Sequence, residues 1–185
     1  MSGYEGIGSG GVSFIVEVLT DNRNRTAGEL RSLIEQHGGT MGKSGSVAWK
    51  FDKKGVLELP VSSIREEELF EVALNAGADN FIVAGDLYKI TTLPEDMDKV
   101  REAVHQAVIA KRPKVAKKSW GQEEEEAPVF TRQELAWIEK TTIPLSGDKA
   151  RSILGLFNAL EEHEDVQNIW GDFDIPQEIL EETKQ

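Results

Sequence analysis

The chain has 185 residues, 39% of them hydrophobic, which is enough to form the core of one or two small domains. Its 21 basic and 33 acidic residues leave a net charge of −12, so nucleic acid repels the chain as a whole and could be contacted only through a local basic patch. The absence of cysteine excludes disulfides, thiolate catalysis and most structural zinc sites, and no apolar run approaches the roughly 20 residues of a membrane helix.

The first third of the chain predicts a strand, a helix and a second strand. Residues 12–19 are mainly apolar and predict a strand. Thr26 and Glu29 have the spacing of a capping box and predict the start of a helix, which the pair Gly38-Gly39 ends. Apolar and polar side chains alternate in residues 47–51, which predicts another strand. Together these segments predict a β-α-β unit with parallel strands and a right-handed crossover.

The middle of the chain begins with a predicted strand and helix. Residues 52–55 predict a turn, and residues 56–59 predict a short strand that Pro60 stops. A capping box of Ser63 and Glu66 predicts the start of the helix. The predicted inward face of this helix consists of Leu69, Phe70, Ala73 and Leu74.

Two more strands and a helix follow in the middle of the chain. Residues 81–84 and 87–92 flank Gly85-Asp86, which predicts a tight hairpin turn. Pro94 lies near the start of a predicted helix that extends to about residue 110. The apolar stripe of that helix consists of Met97, Val100, Val104 and Val108. This β-α-β-β-α module is one strand short of a ferredoxin-like sandwich.

The last third predicts a second β-α-β unit. Its predicted elements are a strand in residues 135–145, a helix in 148–162, a strand in 166–170 and a short helix opened by Pro176. The first and last thirds together make a complete split β-α-β sandwich. We therefore predict an α+β fold with two ferredoxin-like modules, the second inserted into the first. The predicted bounds are 1–54 plus 130–185 for the discontinuous domain, 55–110 for the inserted domain and 111–129 for a charged linker.

No group of residues in the sequence points to catalysis. Residues 6–11 match the dinucleotide pattern G-x-G-x-x-G, but they precede a strand instead of opening a helix, so a structural glycine-rich segment is the better interpretation. Residues 38–44 resemble a phosphate loop but have one residue too few between the glycines. His37, His105 and His163 lie in different predicted elements without a second ligand at metal spacing. We predict a protein that is not an enzyme and needs no metal or other cofactor.

A polar turn before the first helix is the main candidate for a contact surface. Residues 21–25 place two arginines and two asparagines at a helix N-terminus, where amides favour anions and arginine binds phosphate in a bidentate manner. The alternative is a structural loop in which Asp21 or Asn24 caps the helix and the arginines pair with carboxylates. The predicted nucleic-acid-binding residues are Asn22, Arg23, Asn24, Arg25, Lys43, Lys111, Arg112, Lys114, Lys117 and Lys118.

The four tryptophans fall into two groups. Trp49, Trp137 and Trp170 lie in predicted strands, where tryptophan more often belongs to the core than to a binding surface. Trp120 lies in the charged linker beside Lys117 and Lys118. An aromatic ring next to cations could stack on a base or could fold back onto its own domain, and the sequence leaves both open.

Residues 4–11 of the chain read YEGIGSGG and residues 19–26 read LTDNRNRT. These segments resemble YEGYGPGG and LTDNRNRT of the YebC/PmpR family, with Ile7 and Ser9 as the departures. A third segment, HGG followed by GSVAW, lies at the expected distance downstream. The resemblance implies a regulator of gene expression, either a DNA-binding transcriptional regulator or a ribosome-associated translation factor.

The resemblance also implies partners. The family carries a basic helical module ahead of the Tyr4-Glu5-Gly6 motif that is absent from this chain, so the nucleic-acid partner, DNA or ribosomal RNA, is expected to require it. A ribosome and a second copy of the chain are further expected partners, and a membrane is not. The expected location is the cytoplasm, with the mitochondrial matrix as the alternative. The alternative function is a protein-interaction or small-ligand regulatory module without direct nucleic-acid contact.

Overall fold

The computed structural model describes residues 2–112 and 127–175, which form two compact units. The first unit consists of the described residues up to Asp52 and from Trp137 onward, and the second consists of those in Lys53–Ala136. Among the described residues, no helix is long and apolar enough to cross a membrane. In chain order the elements are β1 (Ser2–Ile7), β2 (Ser13–Val18), α1 (Arg23–Gln36), β3 (Thr40–Met41), β4 (Phe51–Pro60), α2 (Glu66–Ala76), β5 (Ala78–Ala84), β6 (Leu87–Thr92), α3 (Met97–Ile109), β7 (Arg132–Glu139), β8 (Ile143–Pro144), α4 (Gly147–Glu161), β9 (Val166–Gly171) and β10 (Phe173–Asp174).

The first unit is an antiparallel sheet with two helices on one face. Its strand order is β3-β1-β2-β9, and Val16 of β2 lies opposite Ile169 of β9, so the beginning and the end of the chain share one sheet. Alternate side chains of β2 contact α1 and α4 in one core. Burial of each large apolar side chain there contributes roughly 1.5–3 kcal/mol. The buried members are Phe14, Val16, Val18, Leu30, Ile34, Leu156 and Leu160.

The opposite face of the same sheet carries a smaller core. Ile15, Val47 and Phe51 are buried together. Trp137 and Trp170 are partly buried against them, which confirms the predicted core role of these two tryptophans. This cluster lies under the segment that follows β3.

The predicted parallel β-α-β unit is wrong. Strand β2 lies between β1 and β9 and is antiparallel to both. Its hairpin with β1 uses glycine-rich residues that the sequence pattern does not mark as a strand. The pattern fails because Gly6 has no side chain, and the ring of Phe14, its cross-strand partner, fills the space. Residues 47–51, predicted as a strand, instead form a 3-10 turn, Ala48–Lys50, followed by the first residue of β4.

Helix α1 begins before the predicted capping box. The Oδ1 atom of Asn22 accepts a hydrogen bond from the N–H of Arg25 at 3.1 Å, so Asn22 is the cap. Thr26, predicted as the cap, lies buried inside the first turn. The predicted glycine stop is confirmed, because Gly38 follows the helix with a φ of 75°, in the left-handed region.

The second unit has the ferredoxin-like connectivity β-α-β-β-α-β. Its sheet order is β5-β6-β4-β7, and both α2 and α3 contact the core that covers one face of this sheet. The hairpin turn predicted at Gly85-Asp86 is confirmed by the pairing of Ala84 with Leu87. The predicted inward residues Val100 and Val104 are also buried. The chain therefore has an α+β fold of two ferredoxin-like modules. The first module differs in that it begins with the β1-β2 hairpin.

Strand β7 supplies the fourth strand that the sequence does not reveal for the second unit. The predicted strand in residues 135–145 belongs to the discontinuous domain, whereas the observed β7 begins at Arg132 and pairs with β4. The N–H of Thr131 donates to the carbonyl of Glu58 at 2.8 Å, directly before β7 begins. The unit to which β7 belongs follows from its pairing with β4, a distant segment that the local sequence pattern does not reveal.

Three further predictions in the second unit are wrong. Residues 52–55, predicted as a turn, belong to strand β4, where Gly55 pairs with Thr92. Because Gly55 has no side chain, Met97 packs against its backbone, and a Cβ atom on residue 55 would lie 2.8 Å from the Met97 Cβ. Helix α2 has no side-chain cap, and Ser63 lies in a separate 3-10 turn. Of the predicted inward face, two residues are exposed: Phe70 (47%) and Leu74 (57%).

We expect Gly6→Ala to destabilise the protein by about 1–3 kcal/mol, because the added Cβ would lie 2.7 Å from Cε2 of Phe14. Phe14→Leu removes those ring atoms, so Gly6→Ala should cost less in the Phe14→Leu background. Gly3→Ala is the matched control on β1, since its Cβ would meet nothing within 4 Å. Urea unfolding of the single and double variants measures the coupling free energy, and an equal cost in both backgrounds would contradict the expectation.

Candidate nucleic-acid interface

The residues of the LTDNRNRT segment converge on Asp165, the residue before β9. The Oγ1 atom of Thr26 lies 2.6 Å from Asp165 Oδ2 and 2.7 Å from Thr20 Oγ1. The guanidinium of Arg25 donates to the same carboxylate oxygen at 2.9 Å. The N–H of Leu19 donates to the main-chain carbonyl of Asp165, also at 2.9 Å. These bonds join the turn after β2 to the start of β9.

The donors around Asp165 favour its ionised form. The hydrogen bond from Thr26 and then that from Arg25 hold the pKa of Asp165 below the ordinary value, although burial of the carboxyl group opposes this. Arg25 is therefore occupied by an internal carboxylate. For this residue the structure supports the structural-loop interpretation, although Asn22 rather than Asp21 or Asn24 caps the helix.

His163 lies beside two carboxylates in space, although it has no second ligand at metal spacing along the sequence. Its Nε2 atom is 3.0 Å from Glu29 Oε2, and one ligand atom each from Glu29, His163 and Asp165 lie within 4.8 Å of one another. The guanidinium of Arg25 is 3.9 Å from Glu29 and 2.9 Å from Asp165, so a cation already balances these groups. The sequence misses the proximity because it depends on the β2-β9 pairing.

Arg23 and Asn24 differ from Arg25. Both are exposed in the first turn of α1. Within residues 2–112 and 127–175, their side chains have no hydrogen bond or ion pair with another residue. The hydroxyl of Tyr4 donates to the main-chain carbonyl of Arg23 at 3.2 Å, which leaves the guanidinium available. Of the contact residues predicted in this turn, these two have side chains without a partner in the described part of the chain.

Residues 42–49 form an exposed loop, here called the Glu5 loop, that the Glu5 carboxylate holds in place. Its oxygens accept the N–H groups of Gly45 at 2.6 Å, Val47 at 2.7 Å and Ala48 at 2.9 Å. Partial burial opposes ionisation, but the amides of Val47, Gly45 and Ala48 outweigh it and lower the pKa of Glu5. The glutamate of the Tyr4-Glu5-Gly6 motif therefore orders the loop that carries Lys43.

Two lysines contact an exposed tryptophan on the Glu5 loop, which also carries Lys43. Trp49 is 66% exposed, so its predicted core position is wrong. The Nζ atom of Lys50 lies 5.6 Å from the centroid of the Trp49 ring and donates to Ser13 Oγ at 2.8 Å. The Nζ atom of Lys140 donates to the main-chain carbonyl of Trp49 at 2.9 Å. With exposed Lys43, these residues form what we call the lysine–tryptophan surface: Lys43, Trp49, Lys50 and Lys140.

In the first unit, the polar turn and Lys50 of the lysine–tryptophan surface lie at opposite ends of β2. Arg25 lies near the Val18 end of β2, through its bond to Asp165, whereas Lys50 contacts Ser13 at the opposite end of this strand. Lys50 and Lys140 could not be found from the sequence, because their position near Trp49 follows from the 3-10 turn.

The remaining predicted contact residues belong to the segment after α3. In the second unit, Lys111 forms an ion pair with Glu68 at 3.0 Å. Arg112 Nη1 donates to the main-chain carbonyl of Ala127 at 2.6 Å. Both contacts are within the unit itself. Lys114, Lys117, Lys118 and Trp120 lie outside the described residues.

The fold and the surface define an α+β protein of two ferredoxin-like modules that presents an ordered, lysine-bearing loop. The family profile described as "TACO1/YebC second and third domain" matches residues 1–173. The chain therefore belongs to the TACO1/YebC family.

Relatives of the chain have names that refer to regulation. A "probable transcriptional regulatory protein" of Pelotomaculum thermopropionicum is 42% identical over 174 residues, and one of Carboxydothermus hydrogenoformans is 39% identical over 175 residues. Each alignment covers 93% of this chain and 64% of the relative, so the chain spans 64% of the length of these relatives. The family is thus named for regulation and not for a reaction.

A solved structure also resembles the chain. It is the crystal structure of the conserved hypothetical protein Aq1575 from Aquifex aeolicus, with a TM-score of 0.76 and 34% identity. The match covers 97% of this chain and 66% of that one. It supports the α+β fold described above.

We expect Asp165→Asn to lower the stability at about pH 7, and the difference from the wild type to shrink in acid. The pKa of Asp165 is lowered in the folded protein, so its contribution is complete above the ordinary value of 3.8 and is lost as the pH falls through the lowered value. Urea midpoints at about pH 7 and about pH 3 measure this. Asp21→Asn is the control, because the Asp21 side chain is 90% exposed. A difference that stays constant with pH would contradict the expectation.

We expect Glu5→Gln to loosen the Glu5 loop without unfolding the protein. An amide has one oxygen where the carboxylate offers two, and it lacks the charge that strengthens these bonds. Amide hydrogen exchange at Gly45, Val47 and Ala48 should accelerate, while exchange in α1 stays unchanged. Unchanged exchange at all three amides would show that other contacts order the loop.

Proposed function

We propose that the chain is part of a regulator of gene expression that contacts nucleic acid, either DNA or the ribosomal RNA of a ribosome. The lysine–tryptophan surface is the observation that carries this proposal, because it concentrates positive charge on a chain whose net charge is −12. The names of the relatives support regulation and leave the target open. Contact of this kind requires no catalytic group and no cofactor.

The lysines of this surface are poorly neutralised by the protein itself. Within the described part of the chain, no carboxylate forms an ion pair with Lys43 or Lys50. Lys140 lies 3.7 Å from Asp52, but the two side chains are 51% and 55% exposed, and such a pair contributes little. The ammonium group of Lys43 is therefore available to phosphate. That of Lys50 has no carboxylate partner and donates to Ser13 Oγ.

The acidic remainder of the chain does not prevent a local contact. At an ionic strength of 0.1 M the Debye length is about 10 Å, so charges farther away than this are largely screened. Long-range attraction to a free DNA duplex is weak for such a chain, whereas a ribosome offers many other contacts that bring the surface close. We therefore favour ribosomal RNA as the target, with Arg23 and Asn24 as a second contact.

We expect Lys43→Ala to reduce the fraction of the protein that co-sediments with purified 70S ribosomes at about 50 mM salt. Loss of one phosphate contact should lower the slope of log K against log salt concentration by about 0.7–0.9. Lys99→Ala is the matched control, since Lys99 is exposed on α3 and the substitution removes the same charge. Equal binding by both variants would exclude Lys43 from the interface, and no binding by the wild type at low salt would overturn the proposal.

The alternative function, a protein-interaction module, has one specific observation in its favour. Strand β5 is an edge strand, and its side chains Ile82 and Val83 are 45% and 46% exposed. Phe70 and Leu74 of α2 in the same unit are exposed as well. Edge strands with exposed apolar side chains pair with other chains, and a second copy of this chain is the simplest partner. In that case Lys43→Ala would not change binding, and sedimentation velocity would detect dimers.

A further inference from the structure

Resting on the proposed function, we propose that Trp49 is a stacking platform for an unpaired base of single-stranded nucleic acid. Lys43 and Lys50 then contact the phosphates on either side of that base. The lysine contacts supply charge, and the tryptophan supplies a preference for exposed bases over a plain phosphate chain.

The Trp49 ring is exposed and held in one orientation. Its indole N–H, the only polar group of the side chain, donates to the main-chain carbonyl of Ser46 at 3.0 Å. Its own main-chain carbonyl accepts from Lys140, and the Glu5 hydrogen bonds fix the preceding residues. Because the indole N–H is already hydrogen-bonded, a partner would interact with Trp49 by covering the apolar face of its ring.

One side of the ring is already occupied by a cation. Lys50 lies over the ring at a distance that favours a cation–π contact, and its ammonium group also donates to Ser13. Because 66% of Trp49 is exposed, much of the ring surface faces solvent. A base on that open surface would place its phosphates near Lys50 and near Lys43 on the same loop.

Contact with an unpaired base explains the arrangement better than contact with a duplex. In a double helix the faces of the bases are covered by their neighbours, and unstacking them costs a few kcal/mol per step. An unpaired base offers its face freely, and every base has such a face, so stacking tolerates many sequences. Loops and bulges of a folded RNA present bases of this kind, and so does a separated DNA strand.

The experiment compares oligonucleotides with and without bases. The probes are a mixed-sequence single-stranded RNA of about 12 nucleotides, the same sequence as DNA, its DNA duplex, and an abasic strand of equal length, all measured by fluorescence anisotropy. We expect the wild type to bind the base-bearing single strands with roughly tenfold higher affinity than the abasic strand. The duplex should show no such increase in affinity over the abasic strand. A stronger signal with RNA than with DNA would assign the source of the base.

The variants separate stacking from charge. Trp49→Ala should abolish the preference for bases but keep the salt slope, and Trp49→Phe should keep much of the preference. Lys43→Ala should keep the preference for bases but lower the salt slope. Phe70→Ala is the matched control for loss of an exposed aromatic residue, because Phe70 is 47% exposed in the second unit, and it should bind like the wild type.

Two outcomes would overturn the proposal in different ways. If the wild type binds RNA and ribosomes but Trp49→Ala retains the preference for bases, the stacking role is wrong and the proposed function stands. If the wild type binds neither ribosomes nor any probe at low salt, the proposed function and the stacking role both fail.

Discussion

The hydrogen bonds to Asp165 are the constraint on which the first unit depends. This one residue accepts from Leu19 through its main chain, and from Thr26 and Arg25 through its side chain. An ionised carboxyl group at 8% exposure is costly without such donors, so the polar turn and the carboxylate require each other. The consequence is structural. The start of β9 is held to the end of β2, next to the point where α1 begins, and β9 completes the four-stranded sheet.

The two motifs that identify the family thus serve the fold before they serve a partner. The Glu5 carboxylate accepts hydrogen bonds from three backbone amides, and the Arg25 guanidinium donates to the Asp165 carboxylate. The side chains left for contact are neighbours of these residues, such as Arg23 and Lys43. A motif rich in charge is therefore not a list of contact residues, and burial and partners decide which members face outward.

The sequence predicts the helices and the fold class well because their signals are local. The stripe of Val100 and Val104 and the hairpin at Gly85-Asp86 need only neighbouring residues to be recognised. Strand assignments fail where the deciding contact is distant: β1 contains two glycines that hide its alternation, and β7 is defined by its pairing with β4. The exposure of Trp49 was not predicted because residues 48–50 form a 3-10 turn in place of the expected strand.

The pairing of β2 with β9 also determines the order in which a nascent chain can fold. Strand β2 ends at Val18 and β9 ends at Gly171, with every strand of the second unit between them. At 5–20 residues per second, the ribosome needs roughly 10–30 s to synthesise the intervening residues. During that interval the β1-β2 hairpin has an apolar edge without its neighbour, while the second unit can already be complete. Slow completion of the outer sheet is thus the kinetic cost of placing one module inside another.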